Sequence, residues 1–284
     1  MSISASQVKE LREMSGVGMM ECKNALVETD GDLEKAMDLL RANSSLKAEK
    51  KASRVAADGE VKVVESAKYS SLIEINSETD FAAKDSQFRD FTDEVAKYLV
   101  DNQVSNLDDL IKVFEEKRMS LIQSIGENIQ LRRLVTIEST SPGTIGAYLH
   151  SDGKLAALVS IDSDNIELAK DLAMHVSATN PSCLNPEDID PNLLEREKSI
   201  FVAQAKESGK DDHIMEKMVE GKINRFLSEA SLISQTFVKN PDQSINDLLK
   251  ENKTSIIAYA RFKVGEGLEV EAKDFASEVA EQLK

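Results

Sequence analysis

The sequence has no tryptophan, two cysteines, 12 glycines and 5 prolines in 284 residues, and its aromatics amount to 5%. Sandwiches and barrels need frequent turn punctuation and many β-branched or aromatic residues, so this scarcity points to a chain dominated by helix. A cationic surplus is also missing: 35 Lys and Arg stand against 51 Asp and Glu, a net charge of −16. Nucleic-acid affinity rests on cationic side chains that displace counterions, and a surface of this sign repels phosphate. Direct nucleic-acid binding is therefore not expected. No apolar run approaches the ~20 residues of a membrane span, so no membrane partner is expected either. Cys22 and Cys183, in a chain whose opening residues MSISASQVKE form neither a signal nor a transit peptide, read as reduced thiols of a soluble cytoplasmic protein. Cys22 sits among apolar neighbours and reads as a small buried hydrophobe.

Catalytic templates are absent too. The chain has no GxxxxGK[ST] loop, no HExxH, no GxSxG and no paired-cysteine metal spacing. Asp162-Ser163-Asp164 begins like a calcium loop, but Gly is missing from its sixth position and Glu from its twelfth. Of the three histidines, His175 lies between Met174 and Val176 and reads as a hydrogen-bonded packing residue, His213 as solvent-exposed, and His150 as a polar residue at a strand end. No enzyme activity, cofactor or metal is expected.

What is present is an apolar fraction of 41%, enough for a core, in a chain long enough for about two domains. Residues 1–54 carry nine Lys and Arg and nine Asp and Glu, so the whole surplus of acid lies beyond them. A neutral head on an acidic body implies modules with different partners. The head reads as three helices: Ser4 with Gln7 forms a capping box ahead of Val8 and Leu11; Met19, Cys22, Ala25 and Leu26 make a second stripe; Asp32 caps a third with Leu33, Ala36, Met37 and Leu40. The pattern resembles the ubiquitin-associated type of mini-bundle. Residues 44–58 are polar and basic and read as a linker that can be helical.

Beyond the linker the apolar period changes. Glu60–Glu65 and Ser71–Asn76 read as paired strands, Phe88, Phe91, Val95 and Leu99 mark a helix, Leu107–Ser124 is another, and Gln130–Glu138 returns to strand. The same grammar recurs in strands 145–149 and 155–161 and a helix bearing Leu168, Leu172 and Val176. LIEINS at 72–77 aligns with LVSIDS at 158–163, offset by 86, while FTDEVAKYLV at 91–100 aligns with LAKDLAMHVS at 168–177, offset by 77. The second copy therefore lacks nine residues around Thr79-Asp80-Phe81-Ala82-Ala83-Lys84, and an embellished loop on a shared scaffold is where function can sit. Leu193–Ser208 and Asp211–Ser228 read as an antiparallel helical hairpin inserted before strand-like Ile256–Val264, and KDFASEVAEQL at 273–283 as a closing amphipathic helix.

The expected fold is thus α+β: a three-helix ubiquitin-associated-like bundle, then a duplicated α+β core with an inserted antiparallel helical hairpin and a C-terminal helix. The boundaries are 1–54 for head and basic linker, 55–140 for the first core subdomain, 141–189 and 229–264 for the two parts of the second, 190–228 for the hairpin and 265–284 for a C-terminal helical module.

Phe81 divides two readings. It precedes Phe88 by seven residues, so one continuous helix capped by Thr79 or Asp80 would turn both rings inward, and spacing alone favours this. The rival is an exposed ring at a loop or helix tip, an interaction anchor.

EINSETDFAAK at 74–84, SGVGMMECKNAL at 15–26, VAADG at 55–59, IGENI at 125–129 and VGEG at 264–267 together resemble bacterial translation elongation factor Ts, in order along the whole chain. Ser15, Ser77-Glu78 and Ala82 depart mildly from the common pattern and leave the Asp-Phe pair intact. The resemblance implies a guanine-nucleotide exchange factor that binds elongation factor Tu in its GDP-bound and nucleotide-free forms and disturbs its magnesium site through Thr79, Asp80, Phe81 and Ala82. It further implies partner contacts at Met19, Met20, Lys23, Lys51, Ile125 and His150. The competing reading is a non-catalytic adaptor whose head is a binding module. A homodimer within a larger complex stays open.

Overall fold

The computed structural model describes residues 3–207, 209 and 211–269. The expected C-terminal helix at 273–283 lies outside the described residues. The chain begins with α1 (Ala5–Ser15), α2 (Met19–Glu28) and α3 (Leu33–Lys51). Ser4 and Gln7 close the capping box at α1, Gly16 ends it in the left-handed region, and the Asp32 side chain caps α3. Val8, Leu11, Cys22, Ala25, Leu26, Ala36 and Leu40 form a small core among the three. The first residues of the basic linker are not a joint but the last two turns of α3, which packs along a helix of the body and lends Ala48 to the body's core.

The first sheet is antiparallel, in the order β1 (Asp58–Glu65), β2 (Tyr69–Ser77), β3 (Gln130–Glu138). Between β2 and β3 run α4 (Asp80–Lys84), α5 (Ser86–Asn102) and α6 (Leu107–Ile125). Phe88, Phe91, Val95 and Leu99 from α5 and Leu110, Phe114 and Ile122 from α6 cover one face of the sheet at Ile73, Ile75 and Leu131. The second sheet repeats the scheme in the order β4 (Thr144–Leu149), β5 (Leu155–Ile161), β8 (Ile256–Lys263), with α7 (Ile166–Thr179) after its central strand. The aligned segments thus occupy equivalent elements, LIEINS in β2 and LVSIDS at the end of β5 and the two residues after it. The sheets meet through Val61, Leu72 and Ile137 on one side and Ile145, Ala156 and Leu158 on the other. Covered on both faces, β2 and most of β5 are continuously buried, although β2 carries buried Ser70, Ser71, Glu74, Asn76 and Ser77 among its apolar residues.

Between α7 and β8 the chain leaves the sheet as α8 (Pro191–Glu207) and α9 (Asp212–Ala230), the hairpin read from sequence. It then forms elements that sequence periodicity did not reveal: a two-strand ribbon of β6 (Thr236–Phe237) and β7 (Asn240–Ser244), and α10 (Ile245–Glu251). His175 is wholly buried on α7, its Nε2 at 2.9 Å from Gln235 Oε1 and its Nδ1 accepting from the Val238 N–H at 3.3 Å, a packing residue. His213 is exposed on α9, and Cys22 is buried.

Glu74, near the middle of β2, ties the two sheets together. Its carboxylate is fully buried; Oε1 accepts from Arg132 Nη1 and from the Gly265 N–H, both at 2.9 Å, and Oε2 from Arg133 Nε at 2.5 Å. Burial alone would raise its pKa, but the Gly265 N–H and the two guanidinium groups outweigh it and hold the carboxyl below its ordinary value. Arg133 also donates to the Lys263 carbonyl at 2.9 Å, so the first sheet grips the chain as it leaves β8. Gly265 has φ +74°, and a Cβ there would stand 2.2 Å from the Ala57 carbonyl oxygen, so only glycine fits.

Replacing Glu74 by Gln is expected to cost roughly 3 kcal/mol at pH 7, because Arg132 loses its buried counter-charge and Arg133 keeps only the more distant Glu266 carboxylate at 3.9 Å. With a depressed folded-state pKa, this contribution is complete above the ordinary carboxyl value of 4.5 and is lost as pH falls through the lower folded value. Urea denaturation at pH 7 and pH 3 should show the gap between Glu74→Gln and its parent closing in acid; a gap independent of pH would contradict the ion-pair account.

Candidate partner-binding site

The nine residues that distinguish the first repeat build a projecting tip. β2 ends at Ser77, and Thr79 adopts an extended conformation (φ −129°, ψ 161°) whose hydroxyl accepts the Ala82 N–H at 3.3 Å, capping α4. Asp85 then swings its ψ to 139°, breaking the helix, and its side chain caps α5 by accepting from the Gln87 N–H at 2.8 Å. This break overturns the spacing argument for a core Phe81. Phe88 is 0% exposed, whereas Phe81, on a separate helical turn, is 81% exposed. Ala82 is buried beneath it as α4 packs on β1 and β2.

Two carboxylates exchange places to hold the tip. Glu127, in the turn after α6, accepts the Thr79 N–H at 2.9 Å and the Thr79 hydroxyl at 2.7 Å. Glu78, beside Thr79, accepts the Asn128 N–H at 2.7 Å. Asn76 donates to the Asp58 carbonyl at 3.0 Å, and Gly59 stands at φ +129°, where a Cβ would lie 2.1 Å from the Ile75 carbonyl oxygen, so only glycine fits. Asp80 is part-exposed and accepts from Lys84 Nζ at 2.6 Å; that bond, with a weaker pull from Lys154, keeps its carboxyl below the ordinary value.

The remaining expected residues fall along the same edge or beside it. Lys51 donates to the Gly126 carbonyl at the end of α6, and burial pushes its ammonium pKa down. Ile125 is half-buried against the first core. Met19 and Met20 are 47% and 65% exposed on α2, with Lys23 exposed on the same helix. The head reaches the last turn of α6 through Ser124 Oγ, which donates to the Gly16 carbonyl at 2.8 Å. His150 is exposed at the β4–β5 turn, its Nδ1 3.1 Å from Asp152 Oδ1. That turn is fixed to β1 by the Val61 N–H on the Gly153 carbonyl at 2.8 Å and by Lys154 on Asp58 at 2.8 Å. A chain of contacts therefore links the head, the end of α6, the tip and the β4–β5 turn.

Sequence reasoning did not single out Glu127, Glu78 or Lys84. Glu127 lies within the IGENI motif, but its pairing with Thr79 spans 48 positions and left no local trace. The site is a projection, not a cleft. An apolar cavity of about 480 Å³ lies elsewhere, between α8 and α9, lined by Val202, Met215, Val219 and Ile223 among others. Among the described residues, no group of three or more His, Cys, Asp or Glu is arranged to hold a metal ion.

Comparison with known proteins gives a consistent result. The family model described as elongation factor TS matches residues 78–266, from the tip to the segment gripped by Glu74. An elongation factor Ts of Hahella chejuensis is 48% identical over 286 aligned residues, covering 100% of this chain and 99% of the relative. Those of Saccharophagus degradans and Teredinibacter turnerae are 48% and 46% identical, each covering 100% of this chain and 98% of the relative.

Thr79→Val keeps the shape of the side chain but removes both the cap and the hydroxyl bond to Glu127. Losing a cap costs about 1 kcal/mol, so the Ala82 and Ala83 amides should exchange with solvent about fivefold faster. Hydrogen exchange read by NMR or mass spectrometry checks this, with amides of β2 as the unaffected reference; equal acceleration in β2 would show a global effect.

Proposed function

The chain belongs to the elongation factor Ts family, and from that premise we propose that it is a guanine-nucleotide exchange factor for elongation factor Tu. In this reading it binds the GDP form, promotes GDP release during translation elongation, and leaves when GTP enters. No bond is made or broken, so it is not an enzyme in the ordinary sense, and it works in the cytoplasm without contacting nucleic acid directly.

The observation that carries this reading is the exposure of Phe81 at a tip held from below. A phenylalanine 81% open to solvent has nothing to stabilise within its own fold, and its burial elsewhere is the gain it offers. Phe81 wedges between two helices of the partner's GTPase domain, and Asp80 perturbs the polar groups that support the magnesium ion there. That ion is the largest local charge on the β-phosphate, so displacing it weakens nucleotide binding more than any other small movement. A thousandfold faster release requires about 4 kcal/mol, within reach of one buried aromatic ring plus a lost metal contact. Linkage makes the effect reciprocal: whatever factor lowers GDP affinity also lowers affinity for the GDP-bound partner. Thr79 and Ala82 shape the tip, while Met19, Met20 and Lys23 meet the GTPase domain and His150 faces a more distant β-domain. Met suits the head because its flexible side chain adapts to a partner's surface.

We read the domain organisation in the same terms: a ubiquitin-associated-like head with linker to residue 54, core subdomains divided near residue 140, a hairpin at 190–228, and a C-terminal module from 265.

Phe81→Ala separates wedge from core. An exposed ring leaves stability within about 0.5 kcal/mol of the parent, where a core ring would cost about 3–5 kcal/mol. GDP release from elongation factor Tu, followed by stopped flow with a fluorescent GDP, should slow by roughly 10- to 100-fold, the equivalent of burying one aromatic side chain. A large loss of stability with normal exchange per folded molecule would sink the wedge.

A further inference from the structure

The last turn of α6 and the turn after it bond in three directions within four residues. Ser124 Oγ donates to the Gly16 carbonyl of the head at 2.8 Å, the Gly126 carbonyl accepts from Lys51 at the end of α3, and Glu127 takes both donors of Thr79. Glu127 is the member next to the tip, and its bond is bidentate, which fixes orientation as well as distance. Thr79 directly precedes Asp80 and Phe81, so its backbone direction sets where the ring points. α4 has five residues, far below the length at which a helix holds itself in water. Without Glu127, its direction would depend on its own cap, the packing of Ala82, the Ser77 hydroxyl on the Thr79 carbonyl and the Glu78 bond one residue upstream.

We propose that Glu127 is a positioning residue for nucleotide exchange: it locks the Thr79–Phe81 tip to the end of α6, which also carries the head, so that docking the head delivers the Phe81 ring as part of one rigid body. Glu127 touches neither nucleotide nor metal and acts through Thr79. The proposal rests on the exchange reading above. Its physical content is preorganisation. Aiming a short exposed segment costs conformational freedom, and a segment aimed before contact does not incur that cost during insertion. The penalty of losing Glu127 therefore falls on the insertion step rather than on docking, which the exposed head residues support independently.

The test uses the full chain in excess over elongation factor Tu loaded with fluorescent GDP, with stopped-flow release recorded at rising exchange-factor concentration. The proteins compared are the parent, Glu127→Ala, Thr79→Val, the double variant, and Phe81→Ala. Each single change at 127 or 79 should lower the maximal release rate about tenfold, as misplacement of a reacting group does, while the half-saturating concentration moves less than about twofold. The double variant should be slower than Glu127→Ala by no more than the roughly fivefold that loss of the Thr79 cap allows, since the hydroxyl bond to Glu127 is already gone in that single variant. A purely structural role would instead deplete folded protein, raising the apparent half-saturating concentration at an unchanged maximal rate, and that result overturns the proposal. So does a normal maximal rate in Glu127→Ala alongside a slow Phe81→Ala. If Phe81→Ala also exchanges normally, the exchange reading fails, and the positioning role with it.

Discussion

A reciprocal pair of carboxylates holds the Phe81 tip of this molecule: Glu78 binds the Asn128 N–H while Glu127 binds the N–H and hydroxyl of Thr79. An apolar ring in water gains by folding back onto any neighbouring apolar surface, so presenting Phe81 outward requires the backbone on either side of it to be fixed. Asp85 supplies the fixing downstream by starting a new helix, and the carboxylate exchange supplies it upstream. Beneath both, Ala82 is small enough for α4 to lie against β1 and β2. Gly59 lets β1 pass so close to Ile75 that no larger residue could stand there.

The sheets carry this end without taking part in it. Two antiparallel sheets of similar plan pack face to face, and Glu74 closes them by gripping the chain that leaves β8. The second copy passes from β5 to α7 through four residues where the first uses eight, five of them the helical turn of α4. The shorter connection shows that the strand–helix unit folds without the tip. The head is continuous with the body through α3 and is bonded to the last turn of α6 through Ser124.

Much of this was legible in the sequence because the long elements are strongly periodic: β3 and β5 fall on Gln130–Glu138 and Leu155–Ile161 as read. The ribbon of β6 and β7 escaped notice because NPDQS has no apolar alternation, although Ser244 with Asp247 was an available helix-start signal for α10. Phe81 was misleading for a specific reason. Seven-residue spacing places two rings on one face only if the helix between them is continuous, and Asp85 ends it. The repeat alignment pointed the right way, since a segment missing from the second copy is unlike core. Glu127 could not be found locally, because its partner lies 48 residues away and is joined only by the fold.

The central claim is that Phe81 is buried by another protein and not by its own, and a fluorinated phenylalanine placed at position 81 alone reports this directly. In the free protein its fluorine NMR resonance should be sharp and sensitive to solvent, as befits a ring 81% exposed. Adding nucleotide-free elongation factor Tu should shift and broaden it, and excess GDP should return it to its free position, because the two ligands oppose each other. A resonance that stays at its free position under conditions where GDP release is accelerated would contradict the account.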